Sequence, residues 1–331
     1  MQSCKSVKRD TGQEDTPGDV KYVQHILLVT AVILLPGLLG AIFGWVHGLL
    51  PLLVFYYLLQ YGKDRGKKYI LIGCVLACAA GLAFQIIEQL LFSLTLIPVG
   101  FVLAASAKNC ESIPIAGIKG TVALAGSWMV ATTLLTFGME HHPYTLLISS
   151  LSQGMDEAIA YYKANSSVPA ETLFLLEQTF AQMKIWIPKV MPGILTCITL
   201  SITWFTMAIG NRMLHKKNGT GPWPEYRYWA LPERLVWILI FAAIFVILPM
   251  EPGRTIGLNV LMVSTLLYCF QGIAIMLFYF SKWSVPLFLR TLIYVLLFFQ
   301  TFGVILLGIL GMLDVWTDLR RLNSTEQETD T

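Results

Sequence analysis

Apolar residues run along this chain in blocks of about twenty, separated by short polar or basic breaks. Ile26 to Tyr61 is the longest unpunctuated block, interrupted only by Pro36, Pro51 and four glycines, Gly37, Gly40, Gly44 and Gly48. As one helix it would be about 54 Å long, against a hydrocarbon core of about 30 Å, so it predicts two short spans. Continuing in this way gives about nine spans, near 25–43, 46–61, 69–89, 91–106, 119–138, 188–211, 233–250, 256–280 and 287–312. Period-two alternation is missing, which excludes a transmembrane β-barrel. The expected fold is therefore all-α, a polytopic transmembrane helical bundle.

The long break from 139 to 187 has its own pattern. Leu151, Met155, Ala158, Ile159 and Tyr162 recur at helical spacing. A second helix is expected after Ser166 and Ser167, with Pro169 near its first turn and Leu173, Leu176, Phe180 and Met183 on one face. This predicts an amphipathic helical hairpin in the long outer loop, lying on the bilayer surface. The spans then divide the chain into a polar tail (1–24), a six-span lobe (25–211), an inner loop (212–232), a three-span lobe (233–312) and a second polar tail (313–331). Trp223, Tyr226, Tyr228 and Trp229 in the inner loop read as an interfacial aromatic belt.

Charge sets the orientation. With the N-terminus inside, 17 of the 23 lysines and arginines fall on the inner side, as the positive-inside rule requires. Nine spans nevertheless leave Arg320 and Arg321 outside, against that rule. The first 24 residues are polar and no Ala-x-Ala cleavage site follows, so the first span is expected to act as its own insertion signal in a cell (inner) membrane. Composition agrees: 56% of residues are hydrophobic and 13% charged, about half the charge of a soluble domain. A net charge of +3 does not suggest a nucleic-acid partner. The expected partners are the lipid bilayer, a second membrane protein and a small molecule of unknown identity.

Candidate chemistry is sparse. Glu88, with Gln85 three residues before it, is an ionisable group among apolar neighbours. It reads as a ligand or proton site, or as a residue at the membrane edge where one span turns into the next. His47 reads as a ligand-binding candidate or as a turn residue. Asn259, Gln271 and Gln300 lie in the last three spans and read as packing glue between helices unless they converge. The run GILGMLDVWTDLRRL ends the apolar part of the chain. Its Asp314, Trp316, Asp318 and Arg320 are candidates for coupling or docking; a helix end leaving the membrane is the plainer reading. The six cysteines show no zinc-like spacing, and His141 and His142, being adjacent, point apart on a helix. Neither a phosphate-binding loop nor a catalytic motif is visible, so neither an enzyme nor a cofactor or metal is expected.

Three segments together resemble the YybS-like family of bacterial membrane proteins: LLPLLVFYYLLQYGKDRGKK, the span from Asn259 to Phe280, and GILGMLDVWTDLRR. The N-terminal half is similar in layout to the substrate-binding S-components of energy-coupling-factor vitamin transporters. That resemblance implies a six-helix bundle with a ligand site and supplies no ligand residues. The chain departs by adding about three spans and the outer hairpin, and by lacking an Ala-x-x-x-Ala pair in its first span. The expected function is non-enzymatic small-molecule transport or substrate binding. The alternative is a membrane scaffold in envelope or cell-shape assembly.

Overall fold

A computed structural model of the protein describes residues 19–136, 142–164 and 169–320. The first polar tail up to residue 18, His141, Ser166, Ser167, Arg321 and the remainder of the second tail lie outside the described residues. The described chain is helical throughout: α1 (Asp19–Leu38), α2 (Gly40–Phe43), a 3-10 turn (Gly44–Gly48), α3 (Leu49–Gln60), α4 (Gly62–Ala83), α5 (Ile87–Lys108), α6 (Ile113–Thr136), α7 (Pro143–Ala164), α8 (Ala170–Asn218), a second 3-10 turn (Tyr226–Tyr228), α9 (Leu235–Ile247), α10 (Glu251–Lys282), α11 (Leu287–Phe299) and α12 (Thr301–Thr317). Among the described residues, seven helices are long and apolar enough to cross a membrane, or eight if the bent pair α11–α12 counts as one span. The bundle is thus polytopic and all-α.

The first block breaks as its length requires. Pro36 stays inside the last turn of α1, and the chain leaves the helix at Leu39 before re-entering through the 3-10 turn. The third and fourth spans divide at Gln85, which takes a left-handed φ of 57°. The Ile86 N–H then reaches back to the Gly81 carbonyl at 3.0 Å, the closure of a Schellman cap. α3 sits at the centre of the first lobe, with Leu50, Val54 and Phe55 essentially sealed from the outside.

Contacts between helix ends sort the turns onto two faces. At the first, the Tyr61 hydroxyl meets His25 Nε2 at 3.2 Å, Lys217 Nζ lies 5.5 Å from the Tyr61 ring, Trp223 Nε1 donates to the Glu111 carbonyl at 3.0 Å, and Arg227 meets Ser281. This is the lysine- and arginine-rich end. At the far end, His47 packs edge-on to Phe92, the Tyr144 hydroxyl donates to the Pro188 carbonyl, and Lys189 pairs with Glu251 at 2.9 Å. Eight segments alternate between these faces: α1, α2–α3, α4, α5, α6, α8, α9 and α10. α9 is only about 20 Å long, because the loop before it has already carried the chain inward.

The stretch expected as a ninth span, 287–312, does not cross. α11 and α12 meet at a bend of 105°. Along α10 and α12, Cys269 meets Val304, Gln271 meets Asp314 and Tyr279 meets Leu319, so the two helices run parallel. α12 therefore leads back to the basic end from which α11 set out. Cys269, which Val304 meets, lies thirteen residues, about 20 Å, from the Lys282 end of α10. α11–α12 is therefore a re-entrant hairpin with both ends at the basic end. The contact is close because Gly272 and Gly311 face it: a Cβ on either would strike the Leu307 or Tyr268 carbonyl. Helix continues through Thr317, well into the stretch expected as a polar tail from 313. The hairpin also places Arg320 at the basic end, which removes the conflict with the positive-inside rule that nine spans created.

The outer hairpin is formed by α7 and the first half of α8, tied by Lys163–Glu177 and Lys184–Asp156 ion pairs at 2.6 Å. Pro169 caps α8, and Met155, Ala158 and Ile159 pack half-buried, as do Leu173, Leu176 and Phe180. Its second helix is not a separate surface element but the extension of the sixth span, since α8 runs unbroken for 49 residues.

Candidate functional site

The residues after α8 do not hang in solution. α8 ends at Gly219, whose φ of +74° turns the chain back. Asn211, buried about two turns before that end, then holds the returning segment: its Nδ2 donates to the Pro224 carbonyl at 2.8 Å and its Oδ1 accepts the Trp223 N–H at 3.2 Å. Trp223 stacks on Phe55 of α3, and Trp229 closes edge-on to it while donating its indole N–H to the Pro224 carbonyl at 2.8 Å. The Tyr226 hydroxyl donates to the Phe270 carbonyl of α10. Trp223 and Trp229 are buried in the bundle, so these two are not part of a lipid-facing aromatic belt. A side-chain amide on the helix and a left-handed glycine turned them inward.

The inserted loop is locked by the hairpin. Arg320 Nη1 donates to the carbonyls of Arg227 and Trp229 at 2.8 and 2.9 Å. Its Nη2 and Nε donate to Asp314 Oδ2 at 2.7 and 3.2 Å. Gln271 of α10 joins the same oxygen, its Nε2 donating at 2.9 Å, while its Oε1 accepts the Leu231 N–H at 3.0 Å. The Arg320 side chain is fully buried and Asp314 nearly so. Two charges removed from water demand this density of partners. Asp314 Oδ1 is the exception, buried with no hydrogen-bond partner among the described residues. Asp318 makes the return possible: its left-handed φ of 41° ends α12 and brings Arg320 back onto Asp314.

Beside this cluster lies a cavity of about 240 Å³ between α6, α8, α10, the inserted loop and the start of α9. Its wall is formed by Ile113, Pro114, Gly117, Ile118 and Thr121 of α6, Leu200, Thr203, Trp204 and Met207 of α8, Tyr226 and Trp229 to Pro232 of the loop, Leu235 of α9, and Leu267, Phe270, Gln271 and Ala274 of α10. Gln271 belongs both to this wall and to the ion-pair cluster. The cavity is small against the 300–1,000 Å³ of ordinary ligand pockets, and it is overwhelmingly apolar.

The candidate residues read from sequence fall in three places. Asp314 and Arg320 come together, in the buried pair. Trp316 is 62% exposed on the outer face of α12, and Asp318 sits at its cap. Gln85, Glu88 and His47 all lie at the far end and do not line the cavity. Gln85 and Glu88 were expected on one helix face. The αL turn at Gln85 places them in different elements instead, both exposed, with Glu88 in the first turn of α5. His47 is held in the 3-10 turn by the Gly44 carbonyl, 3.0 Å from its Nδ1. Gln271, a packing residue by its sequence context unless it converges with other polar groups, does converge with Asp314 and Arg320. Asn211 and Thr203 were missed, although each is a polar residue inside an apolar run.

Comparison with known proteins finds no match among curated proteins and none among solved structures. A family model described as predicted membrane protein (DUF2232) matches residues 27–315, from the first apolar turn of α1 to just beyond Asp314. That span takes in every crossing helix, the inserted loop and nearly all of the re-entrant hairpin. The chain belongs to the DUF2232 family of membrane proteins.

Proposed function

We propose that the protein is a non-enzymatic small-molecule transport or substrate-binding component of the membrane, with the cavity between α6, α8 and α10 as its ligand site. The observation that carries this reading is the shared role of Gln271, one side chain that both lines the cavity and holds the buried Asp314–Arg320 pair. Irregular backbone at membrane depth is tolerated where it is buried in protein or lines a cavity, and transporters build their sites from such interrupted segments. The inserted loop is one such segment and lines this site; the re-entrant hairpin is a second and reaches the site through Asp314 and Gln271. The YybS-like and S-component-like sequence layout supports the same reading. The lysine- and arginine-rich end is then cytoplasmic, in an inner membrane, and carries both ends of the described chain.

Gly117 gives the test. A Cβ there would meet only Met207 Sδ, at 3.9 Å, so Gly117→Leu fills the cavity without displacing backbone. Screening lipid-soluble compounds by thermal unfolding of the purified protein should find ligands that raise the melting temperature of the wild type and leave Gly117→Leu unmoved. Ligands that shift both proteins equally would place the site elsewhere. An absence of ligands, with a stable protein partner recovered from native membranes, would favour the scaffold alternative.

A further inference from the structure

Resting on that reading, we infer that the cavity takes a neutral, lipid-soluble molecule with a flat hydrocarbon body and one carbonyl oxygen, anchored by the hydroxyl of Thr203. Charge excludes the alternatives first. Among the described residues lining the cavity there is no lysine, arginine, histidine, aspartate or glutamate. The charges that Gln271 of the wall touches, Asp314 and Arg320, are committed to each other, and Arg320 also to two backbone carbonyls. An ionised ligand would be buried without a counter-charge, which costs far more than apolar contact returns.

Shape comes from the aromatic wall. The Trp204 indole lies flat on Phe270, centroids 4.3 Å apart and planes within 2°, and Tyr226 and Trp229 meet each other edge-on at 5.2 Å. Such planar surfaces favour a ring system over a flexible chain.

Two lining residues carry a buried donor without a hydrogen-bond partner, Trp204 Nε1, which faces the Tyr226 hydroxyl, and Thr203 Oγ1, which supplies the anchor. A helical threonine ordinarily returns its hydroxyl to the carbonyl one turn back, as Thr206 does to Ile202 at 2.8 Å. Thr203 does not. Its methyl is wedged against Gly120 of α6, where a Cβ would approach within 2.6 Å. The side chain is 1% exposed, and Oγ1 has no hydrogen-bond partner among the described residues. A buried hydroxyl in an apolar wall is a donor without an acceptor, and a ligand carbonyl supplies one.

The experiment uses 1-tetralone and tetralin, which share a bicyclic body and differ by the carbonyl. Dissociation constants are measured by thermal shift on the full chain in detergent, for the wild type, Thr203→Val and Gly117→Leu. The expected result is binding of 1-tetralone to the wild type, weakened roughly three- to tenfold by Thr203→Val. Tetralin should bind both equally, and Gly117→Leu should bind neither compound. Equal 1-tetralone affinity in wild type and Thr203→Val would overturn the anchor while leaving the cavity as a binding site. Binding of tetralin but not of 1-tetralone would overturn the ligand class. If neither compound binds while other molecules shift the wild type and not Gly117→Leu, the class is overturned and the site stands. If nothing distinguishes Gly117→Leu from wild type, the site itself is overturned. Thr203→Ser, which keeps the hydroxyl and drops the methyl, should retain the preference for 1-tetralone and so separates lost bonding from lost folding.

Discussion

The side-chain oxygen of Asn259 accepts the backbone N–H of Gly193 at 2.6 Å, across the interface between α10 and α8. The Asn259 amide nitrogen donates to the Lys189 carbonyl at 2.8 Å. Lys189 and Gly193 are partners in the hydrogen-bond ladder of α8, so one side chain engages both members of a single rung. Pro188 and Pro192 flank that rung, and each has removed an N–H from the same turn of helix. Asn259 thus joins the sixth span to α10 where α8 is weakest.

Asn259→Leu should lower thermal stability by about 1 kcal/mol, in the range measured for interhelical bonds in lipid. Gly193→Ala should be at least as harmful, since its Cβ would meet the Asn259 oxygen and the Met262 methyl. Thermal unfolding in detergent reads both. A neutral Asn259→Leu would show that the bridge carries no net stability.

The buried ion pair should respond asymmetrically. Arg320→Met alone strands the Asp314 carboxylate and should cost about 3–5 kcal/mol, whereas Asp314→Leu combined with Arg320→Met should recover most of it. A double-mutant cycle on unfolding measures the coupling. Additive single effects would mean that the two side chains act independently.

The hairpin has a topological consequence that labelling can read. Cysteines introduced at Ser152 in α7 and at Trp316 in α12 should react with a membrane-impermeant thiol reagent from opposite sides of a sealed vesicle. Tyr22→Cys, beside the start of α1, should share the side of Trp316→Cys. Equal labelling of Ser152→Cys and Trp316→Cys from one side would restore an odd number of crossings.

At the basic end, Lys119 donates to Glu111 Oε1 at 2.5 Å. This hydrogen bond, with a second from Ser106, holds the Glu111 carboxyl below its ordinary value of 4.5. A depressed carboxyl stabilises the fold above its unfolded pKa and ceases to do so as pH falls through the lowered folded value. The difference in melting temperature between wild type and Lys119→Met should therefore be present at pH 6 and shrink to nothing in the acid range below 4.5. A difference that persists unchanged at low pH would assign it to packing of the lysine stem.

The fold was legible wherever composition follows structure. Apolar blocks of span length, the hairpin from 143 and the cap at Pro169 all appear in the sequence as periodicity or punctuation. What failed did so for identifiable reasons. The α11–α12 bend falls at Gln300 and Thr301, inside a run whose hydropathy hardly changes, so counting apolar residues passes straight through it. Gln85 and Glu88 are spaced to share a helix face, and only the αL turn separates them. Gln271 and Asp314 are 43 residues apart, and nothing in local pattern says that α12 returns to α10. Trp223 and Trp229 look like interface residues because Asn211, which draws them inward, stands on the preceding helix.

Among the described residues, Arg320 is also made last, long after the loop it holds. The ribosome produces Trp229 some ninety residues before the guanidinium that will hold its carbonyl. Until the hairpin follows, the loop that walls the cavity is held by aromatic packing, by Asn211 and by the hydrogen bonds of Tyr226, Arg227 and Leu231 to α10. Only when the hairpin folds in from the basic side do Asp314 and Gln271 receive their partner. A chain interrupted before the hairpin would carry α1 to α10 and still expose an open seam beside the inserted loop.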